Sequence, residues 1–171
     1  MIDLRKRILP DDNSHDEILI AAALFHDILN GIENHEKLGA EYTRKLLENH
    51  CTKYEIDEIC EIICFHDDRR PNDNNFSDYI KIHQDADFLD HFGTFDIWRV
   101  FTYTVYHQQS IIDVIDWYEN TFQIEVEKQR QEMNFDLTRK IYDEKCLFVH
   151  SFCERLKIEG TGGIWKFDSF K

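Results

Sequence analysis

The sequence is poor in the residues that form turns, since only 6 of its 171 residues are glycine and 2 are proline. This scarcity excludes a loop-rich or β-turn-rich fold. No apolar run approaches the roughly 18–20 residues that span a bilayer. The acidic, arginine-containing N-terminus also lacks the pattern of a signal peptide. We therefore expect a chain that neither crosses a membrane nor is secreted.

Positive charge is scarce as well. The 20 Lys and Arg residues face 34 Asp and Glu residues, which gives a formal net charge of −14. Such a surface repels phosphate backbones and anionic lipids, so we expect neither a nucleic acid polymer nor a membrane as partner. An anionic substrate would need a local reversal of this field, which a bound metal ion provides. The five cysteines, an odd number without a C-x-x-C pair, favour a reducing cytoplasm.

Apolar residues recur at helical spacing along most of the chain. The pattern predicts helices over 16–29, from 35 onward behind an Asn34 cap, about 54–66, 79–92, 95–107, 111 to about 128, and 138–157. The first of these is apolar on all sides, which is typical of a central, buried helix. No strand alternation or repeat is present. We predict one all-α domain over 1–171, a single compact helical bundle with a core at about 16–158, a loop at 69–78 and a peripheral tail at 159–171.

The segment AAALFHDI places His26 and Asp27 behind eight apolar residues. An ionised carboxylate there is costly unless it is paired, hydrogen-bonded or bound to a metal. His35 and His66 continue the apolar stripes of their own helices, and Asp87 follows Ala86 in HQDADFLD. Each helix that enters the core thus brings a His or an Asp at one end, as in a site for a divalent ion. For an isolated pair, a structural histidine beside a helix-terminal aspartate would be the simpler interpretation.

The segments AALFHD, IICFHDD and IKIHQDADFLD, in this order, resemble the HD-domain metal-dependent phosphohydrolases, and in particular their small stand-alone bacterial members. The resemblance covers roughly residues 18–160. It implies an HD-domain helical bundle that hydrolyses a nucleotide-type substrate and holds one divalent ion, or two (Mn, Fe, Ni, Zn or Mg). Position by position, it implies that the core metal ligands are His26, Asp27 and Asp87. It further implies that His35 and His66 bind a second metal and that Asp90 supports the ligands.

One departure from the family pattern concerns its first histidine, which lies on a helix before the His-Asp pair. The sole histidine before His26 is His15. On a continuous helix the eleven residues between them would separate the two by about 16 Å, too far for one metal. Three explanations stay open. The chain lacks a segment of a longer protein, His35 and His66 complete the site, or catalysis has been lost.

The leading hypothesis is a cytoplasmic metal-dependent phosphohydrolase that cleaves a phosphate ester or anhydride of a nucleotide or a similar small molecule. A divalent ion lowers the pKa of a bound water and polarises a phosphoryl oxygen, with Asp27 and His66 as the catalytic residues. The alternative is a catalytically degenerate HD domain that binds a metal or a nucleotide as a regulatory module. The substrate, the metal and the oligomeric state stay open.

A phosphorylated substrate also requires cationic contacts, and four basic residues lie near the motifs in sequence. These candidate substrate-binding residues are Arg69, Arg70, Lys81 and Arg99. For the first two, an exposed loop pair that balances neighbouring aspartates is an equally good interpretation. The histidines without motif context are expected to be structural, namely His50, His83, His91, His107 and His150.

Overall fold

The computed structural model describes residues 1–70 and 75–165. Within these ranges every regular element is helical, which confirms the all-α prediction. The helices are α1 (Ile2–Ile8), α2 (Asp16–Phe25), α3 (His35–Leu47), α4 (Lys53–Phe65), α5 (Asp78–Asp90), α6 (Thr94–Tyr106), α7 (Ile111–Trp117), α8 (Gln123–Glu132) and α9 (Asp136–Gly160), with a π-helical segment, Tyr118–Phe122, between α7 and α8. In the part of the chain that the structure describes, no helix is both long and apolar enough to cross a membrane.

Three differences between the observed and predicted elements exceed a shift of a few residues at a helix end. Helix α1 was not predicted, and the helix predicted over 111–128 is divided by the π-helical segment. Helix α2 stops at Phe25 rather than at residue 29, because the chain turns where the Asn30 N–H bonds to the Asp27 carbonyl. Asp and Asn favour such turns over a continued helix. Part of the predicted loop (71–74) and of the tail (166–171) lies outside the described residues.

The chain divides into two compact units. The first contains Met1–Asp87 and Glu132–Thr138, and the second contains Phe88–Gln131 and Arg139–Lys171. The boundary falls within α5, directly after Asp87. That residues 1–171 form a single domain stays a prediction.

In the first unit, α2 packs against α1, α3 and α4, and α3 packs against α4. The buried core comes from α2, α3, α4, the start of α5 and Phe76 just before it, and it consists of Ile18, Leu19, Ala22, Ala40, Ile56, Ile59, Cys60, Ile62, Ile63, Phe76 and Ile80. The expectation that α2 is buried on all sides is wrong. Ile20 is 47% exposed and Leu24 is 73% exposed, because only the face with Leu19 and Ala22 meets the neighbouring helices.

Two buried charged groups fix the ends of the first unit. The guanidinium of Arg5 on α1 donates two hydrogen bonds of 2.7 Å to the Asp16 carboxylate at the start of α2. On α5 the fully buried Asp85 carboxylate accepts the backbone N–H groups of Asn134 at 2.9 Å and Phe135 at 3.1 Å, and also the Thr138 hydroxyl. Residues 132–138 are thereby attached to the first unit although they lie far along the chain.

The second unit has its own buried aromatic cluster. The rings of Phe92 and Tyr142 meet at a centroid distance of 4.6 Å. The Lys145 ammonium donates to the carbonyls of Leu89 at 2.6 Å and Phe92 at 3.1 Å, which satisfies carbonyls at the end of α5.

Candidate metal centre

The first His-Asp segment, Phe25-His26-Asp27, lies at the C-terminal end of α2. The His26 ring is oriented by its Nδ1, which lies 3.1 Å from the Ala23 carbonyl oxygen. Its Nε2 then faces two carboxylates, 3.5 Å from Asp87 Oδ1 and 3.7 Å from Asp27 Oδ2. The neighbouring Asp87 carboxylate raises the pKa of His26. An Nδ1–H bound to a carbonyl leaves the Nε2 lone pair free for a ligand, which is the usual arrangement of a metal-binding histidine.

The second His-Asp segment, Phe65-His66-Asp67, ends α4 in the same way. Helix α4 begins after a capping box formed by Thr52 and Glu55, and it ends at Phe65 with His66 as its C-cap residue. The His66 Nδ1 lies 2.7 Å from the Ile63 carbonyl oxygen. Its Nε2 lies 3.5 Å from Asp67 Oδ2 and 3.7 Å from Asp27 Oδ1. The imidazoles of both segments therefore face the Asp27 carboxylate.

The third imidazole comes from His35, the first residue of α3. The preceding Asn34 adopts a left-handed conformation (φ 58°), which Asn tolerates better than most residues, and this turn starts the helix. The His35 Nε2 lies 3.3 Å from Asp67 Oδ2 and 3.5 Å from Asp27 Oδ1. One ligand atom each from Asp27, His35 and His66 can be chosen so that all lie within 4.8 Å of one another.

Asp27 lies at the centre of this arrangement. Its Oδ1 faces the imidazoles of His35 and His66, and its Oδ2 faces His26. The Asn30 side-chain amide donates to Oδ2 at 2.9 Å and supports that orientation. A single carboxylate is thus shared by two adjacent groups of donors.

Helix α5 carries three aspartates with different surroundings. Asp87 directs Oδ1 towards His26, whereas Asp85 is fully occupied by the 132–138 segment described above. The structure therefore brings Asp87, and not Asp85, to the histidines, as the resemblance implied. Asp90 is exposed at the last position of α5 and belongs to the second unit.

Of the four basic candidates, Arg69 lies in the cluster. Its Nη2 donates to Asp87 Oδ2 at 2.7 Å and its Nη1 donates to the Gln84 carbonyl, with the side chain only 10% exposed. Burial lowers the pKa of Arg69, although the guanidinium of an arginine stays charged in proteins. Arg70 pairs with Asp68 at 2.7 Å and covers the ring of Phe76.

The remaining two basic candidates have separate surroundings. Lys81 is half-buried on α5. Arg99 belongs to the second unit, where it pairs with Asp96 at 3.1 Å and donates to the His91 carbonyl. A substrate-binding role for any of the four basic residues stays a prediction.

Sequence reasoning missed two residues of the cluster. Asp67 was considered only as a partner for the neighbouring arginines, although the repeated Phe-His-Asp tripeptide would have indicated it. Gln84 carries no recognisable signal. Its buried amide donates to the carbonyls of Phe65 at 2.8 Å and Asp68 at 3.0 Å, which holds the turn after α4 against α5.

His83 was expected to be structural, and its surroundings are unusual for such a residue. It is 1% exposed, and neither ring nitrogen has a hydrogen-bond partner among the described residues. Its ring centre lies 5.1 Å from that of His26 and 6.2 Å from that of His66. Burial, with a smaller contribution from His26, lowers the pKa of His83 to about 3, so the ring is neutral. A buried polar atom without a partner costs about 1–3 kcal/mol.

His15 lies at the opposite end of α2 from His26. Its ring stacks on Tyr79 at a centroid distance of 3.9 Å, and its Nε2 lies 3.2 Å from the Tyr54 hydroxyl. These contacts keep it among the aromatic residues at the start of α2 and away from the cluster.

The donor set fits a divalent ion. Imidazole nitrogens and carboxylate oxygens together suit the borderline and harder divalent metals. Two imidazoles bound to one ion at about 2.1 Å per nitrogen have ring centres about 5 Å apart. The observed distances of 5.2 Å for His26 and His66, and of 5.2 Å for His35 and His66, agree with this spacing.

The HD domain family model matches residues 2–91, more than half of the 171-residue chain. The chain belongs to the HD domain family, a superfamily of metal-dependent phosphohydrolases whose members bind divalent metals. All the residues of the cluster lie within the matched range. No curated protein matches the chain at a significant level.

Proposed function

We propose that this chain is a metal-dependent phosphohydrolase that cleaves a phosphate ester or anhydride of a nucleotide or a similar small molecule. The observation that carries the proposal is the position of Asp27, whose two oxygens face separate groups of histidines. A carboxylate that only capped a helix would not need three imidazoles around it. This arrangement is suited to one or two divalent ions (Mn, Fe, Ni, Zn or Mg).

The donors divide into two groups around Asp27. His26, Asp27 and Asp87 would hold one ion, and Asp27, His35, His66 and Asp67 would hold the other. A bound ion supplies a Lewis acid that polarises a phosphoryl oxygen and lowers the pKa of a water ligand.

Side chains of the protein would orient the attacking water. Asp27 accepts a hydrogen bond from the attacking water and aligns it with the phosphorus atom. His66, whose ring is oriented by the Ile63 carbonyl and whose Nε2 lies 3.7 Å from Asp27 Oδ1, would bind the same ion as Asp27 and so help to define the position of that carboxylate.

The negative charge of the chain implies that a phosphorylated substrate binds only when a metal ion is bound. With a net charge of −14, the protein repels a phosphorylated ligand unless the field is reversed locally. Arg70, whose side chain is 54% exposed, is the basic candidate best placed in the first unit to meet a phosphate from solvent. Lys81, Arg69 and Arg99 are further candidates, and Asp90 is a candidate for supporting the ligands. We place the protein in the cytoplasm, in keeping with its five free thiols.

A phosphate-release assay tests the proposal. The metal-free chain is reconstituted with each of Mn²⁺, Fe²⁺, Ni²⁺, Zn²⁺ and Mg²⁺ and offered nucleoside mono-, di- and triphosphates. We expect release with at least one metal, and loss of release on addition of a chelator. Asp27→Ala should abolish release with helical content unchanged, whereas Asp57→Ala, at an exposed aspartate on α4, should not. Absence of release from every combination, or activity retained in Asp27→Ala, would contradict the proposal.

A catalytically degenerate HD domain that binds a metal or a nucleotide as a regulatory module is the second candidate. The ion pair between Arg69 and Asp87 favours it, because a guanidinium already neutralises one ligand carboxylate. Calorimetry with the metal-loaded chain distinguishes the two candidates, since a regulatory module would bind a nucleotide without turning it over.

A further inference from the structure

A buried imidazole without hydrogen bonds calls for an explanation, and His83 is such a residue. The great majority of buried polar side-chain atoms in proteins have at least one partner. His83 is 1% exposed, and in the described part of the chain neither of its ring nitrogens has one. The adjacent Ile82 on α5 is fully buried, so an apolar side chain is readily accommodated on this helix. A neutral imidazole with a free lone pair is instead the form that binds a metal.

The position of His83 on α5 places it beside the cluster. His83 and Asp87 are four residues apart, so their side chains share one face of the helix. The Asp87 Oδ1 lies 3.5 Å from the His26 Nε2. The His83 ring lies 5.1 Å from the His26 ring at an interplanar angle of 74°. This is the spacing of about 5 Å expected for two imidazoles that share one ion.

We propose that His83 is a ligand of the ion held by His26, Asp27 and Asp87. This inference rests on the proposed metal centre and extends it. His83 supplies a nitrogen donor from α5, whereas His15 is stacked on Tyr79 at the other end of α2 from His26. The resulting set of two imidazoles and two carboxylates gives four protein donors for one divalent ion.

The test is a titration of the chelator-treated full chain with Zn²⁺ and with Mn²⁺ by calorimetry. We expect His83→Leu to weaken binding at one site by at least about tenfold, the lower limit seen when a residue that supports a metal is lost. Two matched controls should leave the affinity unchanged. Ile82→Leu alters the neighbouring buried position on α5, and His50→Leu removes an exposed histidine in the turn after α3.

A direct measurement separates ligation from an indirect packing effect. In the ¹⁵N-labelled wild-type chain, we expect one ring nitrogen of His83 to move on addition of Zn²⁺ to the chemical shift of a metal-bound imidazole. The His83→Leu variant assigns that resonance by its disappearance. Where this variant does not fold, sequential assignment of the ¹³C,¹⁵N-labelled wild-type chain identifies the His83 ring nitrogens, and their shift on addition of Zn²⁺ decides the question.

The outcomes are distinguishable. A wild-type chain that takes up neither metal would overturn this inference and the proposed function together. A wild-type chain that binds metal while the His83 nitrogens stay unshifted would overturn the inference and leave the proposed function standing. Unchanged affinity in a folded His83→Leu variant would overturn it in the same way. A shifted His83 nitrogen with weakened binding in the variant would support it.

Discussion

The same tripeptide ends two helices of this protein, and its two copies have different surroundings. In Phe25-His26-Asp27 and in Phe65-His66-Asp67, the histidine directs Nδ1 to the carbonyl three residues earlier. The side chain of His66 is only 2% exposed, whereas that of His26 is 21% exposed. Asp27 faces three imidazoles, whereas Asp67 faces two.

The comparison separates what is determined within one helix from what depends on contacts between helices. The helix end determines how the imidazole is turned, since the partner of Nδ1 lies in the preceding turn of the same helix. The carboxylate acquires its role from other helices, because α3 brings His35 to Asp27 and α5 brings Asp87 to His26. We therefore expect the first segment to be indispensable for metal binding and the second to be supportive.

The largest effect on catalysis is expected when Asp27 and Asp67 are each replaced in a separate variant. Asp27→Asn removes a carboxylate that both donor groups share, so we expect catalytic efficiency to fall at least about a thousandfold. Asp67→Asn touches one group, and we expect a loss of about 10–100-fold. Steady-state kinetics of phosphate release and elemental analysis of metal per chain measure the two effects. Equal losses in both variants would show that the two segments have equivalent roles.

The turn at the second segment is held by Gln84. Gln84→Leu keeps the side-chain volume but leaves the carbonyls of Phe65 and Asp68 without their donor. Because each buried polar group that loses its partner costs about 1–3 kcal/mol, and two carbonyls lose theirs, we expect the free energy of unfolding to drop by at least about 2 kcal/mol. Urea denaturation of the metal-free chain measures it, with Asp57→Ala as a surface control. A variant as stable as the wild-type chain would show that Gln84 does not hold this turn.

A smaller effect on the free energy of unfolding is expected from a change of pH, through the titration of His83. In the metal-free chain burial lowers the pKa of His83 to about 3, below its ordinary value of 6.5. Between about pH 3 and pH 6.5, His83 binds a proton more readily in the unfolded chain than in the folded chain. The contribution of the neutral His83 to the free energy of unfolding is therefore complete above about pH 6.5 and declines as the pH falls. We expect a loss of about 1 kcal/mol at pH 5.5 relative to pH 7.5.

Comparison with His83→Leu isolates this contribution. The pKa of His26 is raised by Asp87, so its own contribution has the opposite sign and is lost as the pH rises. Both chains retain His26, and its effect cancels in the difference between them. The free energy of unfolding, measured for both chains between pH 5 and 8, should diverge only on the acid side. Parallel curves would contradict the assignment of a neutral, buried His83.

Sequence periodicity predicted most helices of the fold but not their exposure. Helix α2 reads as apolar on all sides, yet Leu24 is largely exposed because neighbouring helices cover one face only. A hydrophobic pattern reports what a helix is able to bury, and the number of neighbouring helices determines what it does bury. The early end of α2 is a local effect that the Asp and Asn residues after it would have predicted.

The amino-acid sequence by itself determined that the chain is helical, that it is acidic, and that His26, Asp27, His35, His66 and Asp87 stand at the ends of core helices. These properties depend on spacing along one helix, which is visible in the printed chain. The tertiary structure decided that Asp27 is the shared carboxylate, that Arg69 binds Asp87, and that His83 is buried without a partner. Such relations join residues of different helices, and their distances follow from how the helices pack rather than from any pattern within one of them.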